Sequence, residues 1–543
     1  MKKFWTKEII PILIIVSVAF FLRVYQVNKI PPALSWDEVS IGYNAYSILT
    51  SGRDEHGRFL PLNSFVAFGD YKPSLPIYLT VPSVALFGLN EFAVRLPSIL
   101  AGTLTVLLTY FLVKELFRNS LISYHLSLIT AFLLAISPWH WQLSRAGFEA
   151  NIAVMFIVWG AWLVLRARYR PKLLYCCWLP FAAVVYTFNS ARYFSPILAL
   201  GLLLFCGKEF LKHRKETVSG MIIACVVLLP ILPHLLSPAA RLRFQEVSIF
   251  TDDSIVRVAN QRITNDSNLW WSRLIHNRRW GYFRSYFTHF LDHLEARFLF
   301  IKGDGNPKFS LQDSGELYLV ELPFLVLGVY YLALHERKAF WLLIFWLLGA
   351  IAPAAVARET PHALRTENTL PVWQIFTAFG LVSSLKHQLS GVRKNILLAV
   401  VSLLLTFSFG YFWHNYFNHY ATEYSGEWQY GYREAIRYTQ PIKDKYQNII
   451  LSENIGRPYI YVAFYEKMRP EVFWAEVQGG FDAAGFYNVG GLGKYLFVRS
   501  VYDKSNKQNL YIVPPDEIPS NAHVLKTINL LNGKPILVIY DLL

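Results

Sequence analysis

Charged side chains are scarce in this sequence. Asp, Glu, Lys and Arg together make up 16% of its 543 residues, whereas soluble domains average about 25%. Hydrophobic residues reach 54%, and apolar runs close to the length of a membrane span recur along most of the chain. Each such run can cross a hydrocarbon layer about 30 Å thick. The composition therefore excludes an ordinary soluble domain and predicts an α-helical polytopic membrane protein.

Cysteines and motifs for nucleotides or metals are also rare or missing. The four cysteines all fall within predicted spans and form no metal-binding spacing, so no disulfide framework is expected. Neither a P-loop nor a GxGxxG fingerprint stands out, which disfavours a nucleotide-driven pump. His289, Asp292 and His293 could share one helix face, but no fourth ligand is evident. No metal centre or other cofactor is therefore indicated.

Membrane topology explains much of the excess positive charge. The chain carries 52 Lys and Arg against 37 Asp and Glu, a net charge of +15. If the N-terminus lies inside, cations concentrate in inside loops such as 166–172 and 208–215, whereas short outside loops carry one or two each. No nucleic acid partner is needed to account for the charge. The eleven predicted spans are 8–27, 92–113, 121–138, 148–166, 173–188, 194–209, 218–236, 316–335, 339–356, 369–385 and 395–413.

One further apolar run does not fit this alternation. Residues 74–89 are apolar enough to span, but Pro76, Pro82 and Gly88 interrupt them. If this run crossed the membrane, every later cation-rich loop would face outside. We therefore predict an interfacial or re-entrant helix on the outer side, where protein or a water-filled cavity satisfies its irregular backbone.

This topology leaves three larger regions outside. The transmembrane domain, 1–413, contains a first outer loop at 28–91 and a long outer loop at 237–315 that is rich in aromatic residues and arginine. The tail at 414–543 changes composition, and we expect it to form a small extracytoplasmic α/β domain. Its predicted elements are helices near 430–445 and 456–466, and strands at Asn448–Ser452, near Asn509–Val513 and near 535–540.

An acidic pair follows the first span. Asp37 and Glu38 lie close to hydrocarbon, where charge is costly and usually functional. Ser35 or Asp37 could cap a helix through Val39–Leu49, with the acids favouring its positive end. Such a cap would also fix the side chains in place. A carboxylate at the membrane surface can deprotonate an acceptor hydroxyl or amine as a general base, so Asp37 is the leading catalytic candidate.

Cations and a second acid recur in the other outer loops. Lys72 precedes the proline-broken run; it could snorkel to the interface or bind a phosphate as a point charge. Arg145 and Glu149 are four residues apart, so they could form a helical ion pair or contribute to a shared site. Three more candidates in short outer loops, which could anchor the interface or grip a phosphate, are Arg192, His362 and Arg365.

These residues occur in motifs that resemble a known family. Trp36–Glu38, Tyr71–Tyr78 and Phe87–Ser98 resemble the dolichyl-phosphate-mannose protein mannosyltransferase superfamily, glycosyltransferase family 39, whose bacterial relatives include the lipid A aminoarabinose transferases. Segments 186–192 and 361–365 look like later motifs of the family. Eukaryotic protein mannosyltransferases carry a histidine at the place of Lys72 and an inserted lumenal trefoil domain. This sequence has neither, so the bacterial or archaeal branch fits better.

The resemblance implies a fold and a chemistry. It implies the GT-C fold, with many spans, an acidic motif in the first outer loop and interfacial helices beside it. It further implies an inverting transfer from a polyprenyl-phosphate sugar, with Asp37 as the base or acceptor-positioning acid and Glu38 in support. Lys72 and Arg95 look like donor-phosphate or site-ordering positions, and Glu149 lies roughly where a second family acid stands.

We therefore expect an integral-membrane glycosyltransferase of the plasma membrane, with its site and tail facing outside. Its partners would be a polyprenyl-phosphate sugar, an extracytoplasmic lipid, glycan or protein acceptor, and membrane lipid. A multi-span secondary transporter is an alternative, although transporters more often show repeat symmetry and charges at the bilayer midplane. A non-catalytic membrane scaffold is another, but it would not require the first-loop acid.

Overall fold

The computed structural model describes residues 2–68, 70–387, 391–483, 486–500 and 506–542. Most of these residues are helical, and strands are concentrated in the tail. The α-helices are α1 (Lys2–Val24), α2 (Trp36–Ser51), α3 (Ser74–Phe87), α4 (Glu91–Leu116), α5 (Ser123–Ile136), α6 (Pro138–Leu143), α7 (Glu149–Ala167), α8 (Leu179–Val185), α9 (Asn189–Phe205), α10 (Gly207–Lys212), α11 (Arg214–Leu228), α12 (Leu232–Leu236), α13 (Pro238–Val247), α14 (Asp253–Asn265), α15 (Trp270–Ile275), α16 (Arg278–Asp292), α17 (Leu322–His335), α18 (Arg337–Ala354), α19 (Ala363–Thr366), α20 (Val372–His387), α21 (Gly391–Asn415), α22 (Ala421–Tyr424), α23 (Tyr432–Thr439), α24 (Pro458–Tyr465) and α25 (Pro470–Glu476).

The strands form two sheets. They are β1 (Phe65–Ala67), β2 (Asp70–Lys72), β3 (Asn448–Ser452), β4 (Val477–Phe481), β5 (Tyr487–Leu492), β6 (Tyr495–Val498), β7 (Asn509–Val513), β8 (Ala522–Asn529) and β9 (Pro535–Leu542). A hairpin pairs β1 with β2, and a seven-stranded sheet has the order β4-β5-β6-β3-β7-β9-β8. In that sheet β3 runs parallel to both β6 and β7, and the other neighbours are antiparallel.

Each of the eleven predicted spans coincides with a helix or a pair of short consecutive helices. Several are broken where proline or serine interrupts the run, as at Ser137 between α5 and α6. The predicted fold class, a helical membrane protein with a sheet domain at its C-terminal end, is confirmed. Within the described ranges, the helices long and apolar enough to cross a membrane are Glu91–Leu116, Glu149–Ala167, Arg214–Leu236, Arg337–Ala354 and Gly391–Tyr424.

The ambiguous run at 74–89 forms α3, a helix of 14 residues. At 1.5 Å per residue such a helix is about 21 Å long, which is shorter than the hydrocarbon core. It ends at Gly88, whose φ of +74° suits glycine. The length agrees with a helix that does not span, and the side on which it lies remains a prediction.

The chain forms two compact units. One contains Met1–Leu22, Ala101–Leu143 and Glu149–Phe412; we call it the helical unit. The other contains Arg23–Leu100, Ser144–Phe148 and Trp413–Leu543; we call it the mixed unit. The first outer loop therefore clusters with the tail, and one division of the chain falls between Phe412 and Trp413, next to the predicted boundary after residue 413.

The mixed unit has one large hydrophobic core that joins the first outer loop to the tail. Residues of α2 and α3, such as Val39 and Ile77, belong to the same buried cluster as Ile449 and Ile460 of the tail. The unit places the acidic pair at the start of α2 on a rigid support. Rigidity of this kind is what a site needs if it is to hold side chains in a fixed geometry.

In the helical unit, small residues permit close helix packing. Gly328 of α17 and Gly380 of α20 face the partner helix so closely that a Cβ at either position would overlap backbone atoms of Phe376 or Phe324. Small residues are typical at such interfaces in membranes, because they let helix backbones approach. These glycines permit the close packing of α17 and α20. The two helices follow the segments at 303–318 and 358–371.

Candidate active site

The turn before α2 presents the acidic pair. Ser35 is the N-cap: its side chain accepts a hydrogen bond from the Glu38 amide, and Glu38 Oε2 accepts one from the Ser35 amide at 2.9 Å. This reciprocal capping box satisfies two amides that a helix otherwise leaves unpaired. The predicted cap therefore forms at Ser35 rather than at Asp37. The cap leaves Asp37 at the second position of the helix, free of capping duty.

Glu38 is buried and fully engaged. Its Oε1 accepts a hydrogen bond from Arg95 Nε at 2.9 Å and another from the Gly147 amide at 2.9 Å. Its Oε2 accepts the bonds from Ser35, and the side chain is 0% exposed. A buried carboxylate needs such partners, because an unpaired buried charge is strongly unfavourable. Glu38 thus orders the turn, as a supporting residue would.

Arg95, on α4, is also buried and engaged. Besides Glu38, its guanidinium donates to the carbonyl oxygens of Val27 and Pro31 through one amino group and of Ala33 through the other, at 2.6–2.9 Å. These bonds use the rigid fork of donors that distinguishes arginine from lysine. Of the two roles implied for Arg95, the contacts favour site ordering over phosphate binding.

Arg145 also binds backbone carbonyl oxygens of the segment that precedes α2. It donates to the carbonyl oxygens of Arg23, Tyr25 and Ile30 at 2.7–3.2 Å, and its Nε donates to Tyr416 Oη. We call the bonds from Arg95 and Arg145 to residues 23–33 the arginine–carbonyl network. The network holds the segment that enters α2, which is a supporting role for Arg145.

Asp37 differs from its neighbour. Its side chain is 36% exposed, and Oδ1 lies 2.5 Å from Lys72 Nζ. The hairpin of β1 and β2 positions Lys72 at its end, where Phe65 is the cross-strand partner. Pro73, the next residue, is the N-cap of α3. The structure thus brings two of the predicted site residues, the accessible acid and the cation, into direct contact.

The tail also supports this turn, through residues that the sequence did not single out. Tyr461 donates a hydrogen bond to the Leu34 carbonyl oxygen at 3.0 Å. Gly456, with φ of +137°, packs against the Trp36 ring, and a Cβ there would press on the ring at 3.1 Å. No local pattern connects these positions with residues 34–36, so only the fold could reveal them.

A second polar cluster in the mixed unit also went unpredicted. Asp54 accepts bonds from Arg58 Nε at 2.7 Å and from the amides of His56 and Arg58. Glu55 is buried beside His56, at 3.4 Å from its Nε2. Burial raises the pKa of Glu55. This cluster orders the connection between α2 and the hairpin that carries Lys72.

The remaining candidates lie in the helical unit. Arg192 Nε donates to the Val185 carbonyl oxygen at 3.0 Å, which caps the end of α8. Arg365 reaches the Glu359 carbonyl oxygen at 3.4 Å, and Ser190 Oγ donates to the Arg365 carbonyl. Glu149 is the first residue of α7 and is 9% exposed. The contact between Ser190 and Arg365 brings the two short outer loops together.

His362 is part of a buried acidic group that the sequence did not indicate. Its Nδ1 lies 3.6 Å from Asp304 Oδ2, which also accepts a bond from the Ala363 amide at 2.6 Å. Asp304 Oδ1 accepts from the Asn306 amide, and Glu316 accepts from the Asp304 amide. Burial raises the pKa of Asp304 to about 6, partly offset by these backbone bonds.

The weak metal pattern at residues 289–293 is engaged with protein groups. His289 Nδ1 lies 2.8 Å from the Ala357 carbonyl oxygen, and Asp292 accepts a bond from Thr360. His293 Nδ1 lies 2.7 Å from the His289 carbonyl oxygen. Within the described ranges, no group of three or more His, Cys, Asp or Glu side chains has the geometry of a metal site.

Comparison with known families and proteins agrees with this architecture. Residues 71–234 match the model of the dolichyl-phosphate-mannose-protein mannosyltransferase family. The matched region includes Lys72 and Arg95 but begins after Asp37. The putative mannosyltransferase YkcB of Bacillus subtilis is 26% identical over 228 residues, which cover 41% of this chain and 29% of YkcB.

Solved structures define the fold over the whole chain. The structure of ArnT from Cupriavidus metallidurans bound to undecaprenyl phosphate matches with a TM-score of 0.52 and 12% identity, over 99% of this chain and 98% of ArnT. The oligosaccharyltransferase AglB from Archaeoglobus fulgidus, in complex with an inhibitory peptide and a dolichol-phosphate, matches with a TM-score of 0.50 and 11% identity, over 86% of this chain and 64% of AglB.

The chain is therefore an integral membrane protein with the fold of the GT-C glycosyltransferases. The family resemblance indicated by the first-loop motifs is confirmed by the family match and by these structures. Its sequence is similar to those of mannosyltransferases.

Proposed function

We propose that this protein is an inverting glycosyltransferase that moves a monosaccharide from a polyprenyl phosphate to an extracytoplasmic lipid, glycan or protein acceptor. The observation that carries the proposal is the division of roles between two adjacent carboxylates. Glu38 is buried and its side chain has four hydrogen bonds, whereas Asp37 is 36% exposed and forms an ion pair with Lys72. A fold that fixes one acid so firmly while presenting the next is suited to acid–base chemistry.

The chemistry follows from the geometry of Asp37. Its carboxylate accepts the proton of the acceptor hydroxyl or amine as the nucleophile forms a bond to the anomeric carbon. The bond from that carbon to the phosphate oxygen breaks, and its electron pair leaves with the polyprenyl phosphate. Lys72 meets the charge that develops on this leaving group.

Inversion at the anomeric carbon limits how Lys72 can contact Asp37 and the donor phosphate. The nucleophile and the leaving phosphate lie on opposite faces of the anomeric carbon, so Lys72 cannot bind Asp37 and the phosphate in the same way at the same moment. In our proposal the donor phosphate replaces Asp37 as the partner of Lys72. Donor binding then releases the carboxylate to accept a proton, which couples the base to the presence of donor.

The lipid class of the donor is supported by the structural relatives. ArnT was solved with undecaprenyl phosphate and AglB with a dolichol-phosphate, two polyprenyl-type phosphates. A donor of this kind is delivered by the bilayer and needs no diffusible nucleotide, which fits a site on the outer face of the plasma membrane. The distribution of loop cations supports a location of the first outer loop and the tail on that face.

The proposal is tested with purified protein in lipid nanodiscs and a short-chain polyprenyl-phosphate mannose. The assay measures release of the polyprenyl phosphate and identifies the glycosylated acceptor by mass spectrometry. Because loss of a general base typically lowers rates about 10²–10⁴-fold, Asp37→Asn should lose most transfer activity. Its melting temperature should change little, because a partly exposed ion pair contributes about 1 kcal/mol or less.

Asp516→Asn is the matched control, since Asp516 is an exposed acid of the tail. It should retain the wild-type rate. Wild-type turnover by Asp37→Asn with an unchanged melting temperature would refute the assignment of the base. Absence of release from any polyprenyl-phosphate sugar by a folded wild-type protein would refute the donor class.

A further inference from the structure

The long outer loop contains an unusual group of exposed arginines and aromatic residues. Between residues 254 and 291 the chain has six arginines, no lysine and one acid, Asp266. Among the described residues, neither Arg262 nor Arg284 takes part in an ion pair. In this respect they differ from Arg95, which pairs with the buried Glu38.

The helix α16 has two different faces. One face is bound to the outer end of α18: Tyr286 donates to the Ala352 carbonyl oxygen, and His289 contacts that of Ala357. The other face exposes Trp280, Phe283 and Phe287, which are 57%, 54% and 51% exposed. Their rings stack along the helix, with centroids 5.3 and 6.1 Å apart. The helix is thus held in place while a ladder of aromatic rings is left uncovered.

The location of this ladder is set by α18. That helix, Arg337–Ala354, is one of the helices long and apolar enough to cross the membrane. The segment before α14 also joins its end, because the Ile249 amide donates to the Val356 carbonyl oxygen and the Arg358 amide to that of Val247. The aromatic face therefore lies at the end of a span, where tryptophan rings favour the water–lipid boundary.

Between α14 and α16 lies a cavity of about 360 Å³. Arg262, Arg284 and His276 contribute its polar lining, and Ile255, Val258 and Trp280 contribute apolar lining. Two guanidinium groups suit a phosphate, because their planar donors bind its oxygens in pairs. Apolar walls suit the glycerol and the first acyl carbons. The combination matches a phospholipid headgroup better than a free anion.

We propose that α14–α16 dock on the outer leaflet and bind the headgroup of an anionic glycerophospholipid in this cavity. The aromatic ladder inserts into the boundary between headgroups and acyl chains, and Arg262 and Arg284 hold the lipid phosphate. Amphipathic segments with aromatic residues on one side and arginine nearby bind membranes in this way. The proposal concerns lipid binding alone and does not depend on the transferase activity.

The first experiment measures bound lipid. Full-length protein is purified from nanodiscs of phosphatidylcholine mixed with phosphatidylglycerol, and retained lipid is counted by native mass spectrometry. Because Arg262 and Arg284 line the cavity and would bind the lipid phosphate through paired hydrogen bonds, Arg262→Gln with Arg284→Gln should lower phosphatidylglycerol retention by tenfold or more. The control, Arg278→Gln with Arg279→Gln, removes the same charge from the start of α16, outside the cavity, and should retain most of the lipid.

Equal loss in both double variants would overturn the headgroup site, since attraction would then be diffuse. Unchanged retention in the cavity variant would overturn it as well. Displacement of the lipid by inorganic phosphate or glycerol phosphate at similar concentration would show a free-anion site and overturn the docking proposal.

The second experiment tests insertion of the ladder. A spin label is placed at Phe283→Cys or at Arg279→Cys, in protein whose four native cysteines are replaced by serine. In nanodiscs the label at 283 should collide mainly with oxygen, which is enriched in lipid, and the label at 279 mainly with a water-soluble nickel chelate. Equal access of the chelate to both labels would refute insertion of the aromatic face.

Discussion

Arginine has opposite roles around the turn before α2 and in the long outer loop. Arg95 and Arg145 are buried and donate to backbone carbonyl oxygens of residues 23–33. Arg262 and Arg284 are exposed and line a cavity without an ion pair among the described residues. The residue type alone therefore does not identify a ligand-binding arginine. What decides is whether the fold supplies oxygen atoms within the protein to meet its donors.

The largest loss of stability is expected from replacing Arg95, one of the two buried arginines. Arg95→Gln removes the partner of Glu38 and several carbonyl bonds, so a buried carboxylate is left uncompensated. Loss of one partner in such a pair typically costs about 3–5 kcal/mol. We expect a large fall in the detergent melting temperature, or failure to recover folded protein.

The control for Arg95 is Arg433→Gln. Arg433 pairs with Glu91 at 3.1 Å and with Glu434 at 2.9 Å, but its side chain is 22% exposed, against 0% for Arg95. A partly exposed ion pair leaves less uncompensated charge behind than a fully buried one, so this variant should melt closer to the wild type than Arg95→Gln does. Equal melting temperatures for Arg95→Gln and Arg433→Gln would contradict the ordering role of Arg95.

The next effect concerns Lys72, whose proposed role combines features of both groups: it has a protein partner and exchanges it for a ligand. Lys72→Gln should reduce transfer roughly tenfold to a hundredfold, because a charged hydrogen bond contributes about 1.5–3 kcal/mol. Kinetics with donor and acceptor varied separately should assign the loss to the donor. Lys72→Arg should recover part of it, since the charge returns with a different shape.

A snorkelling lysine would give another result. In that case Lys72→Gln would change neither the apparent donor affinity nor turnover. Arg192 and Arg365 would then be the next candidates for the phosphate, and Arg192→Gln and Arg365→Gln would be assayed in the same way.

A smaller, pH-dependent effect is expected from Asp304 in the helical unit. Its folded pKa of about 6 lies above the ordinary value of 3.8, because burial penalises the charged form. The protonated acid therefore adds stability that is fully present below about pH 3.8 and is lost as pH rises through about 6. Asp304→Asn mimics the protonated form.

The measurement is the melting temperature between pH 4 and 7, a range chosen to bracket the shift at about 6. The wild type should lose more stability across that range than Asp304→Asn does. Parallel curves for the two proteins would show that Asp304 does not titrate there.

The smallest effect is expected from topology probes, which should leave activity nearly unchanged. Single cysteines at Asn90, after α3, and at the exposed Ser520 of the tail should both react with a membrane-impermeant reagent applied to intact cells. The parent protein would have serine at its four native cysteine positions. Labelling at 520 with protection at 90 would contradict a non-spanning α3.

The sequence was sufficient for the features that depend on local chemistry. Hydropathy placed the spans, because hydrocarbon excludes charge over a known thickness. The N-cap of α2 was narrowed to Ser35 or Asp37 from local hydrogen bonding, and the structure has it at Ser35. The strands at Asn448–Ser452 and Asn509–Val513 were predicted from their apolar runs. In contrast, β4 and β5 were not predicted, because glycines at 479–480 and 490–491 interrupt the hydrophobic pattern of these strands.

The site was only partly accessible to sequence reasoning. The first-loop motif identified Asp37 and Lys72, and the structure places them in contact. It could not show why the surroundings of Asp37 and Glu38 differ, because the difference arises from Arg95 and Gly147, which are distant in sequence. Asp304 was missed because its burial, which is what makes it unusual, depends on tertiary packing.

The arginine–carbonyl network also has a consequence for biosynthesis. The carbonyl oxygens of residues 23–33 obtain their partners from residues 95 and 145, which the ribosome adds much later. The turn at Ser35 further depends on the amide of Gly147 and on the hydroxyl of Tyr461. A nascent chain that has inserted only its first helix therefore holds Asp37 without its final geometry. The proposed site around Asp37 therefore reaches its final geometry only after residues up to Tyr461 have been synthesised and folded.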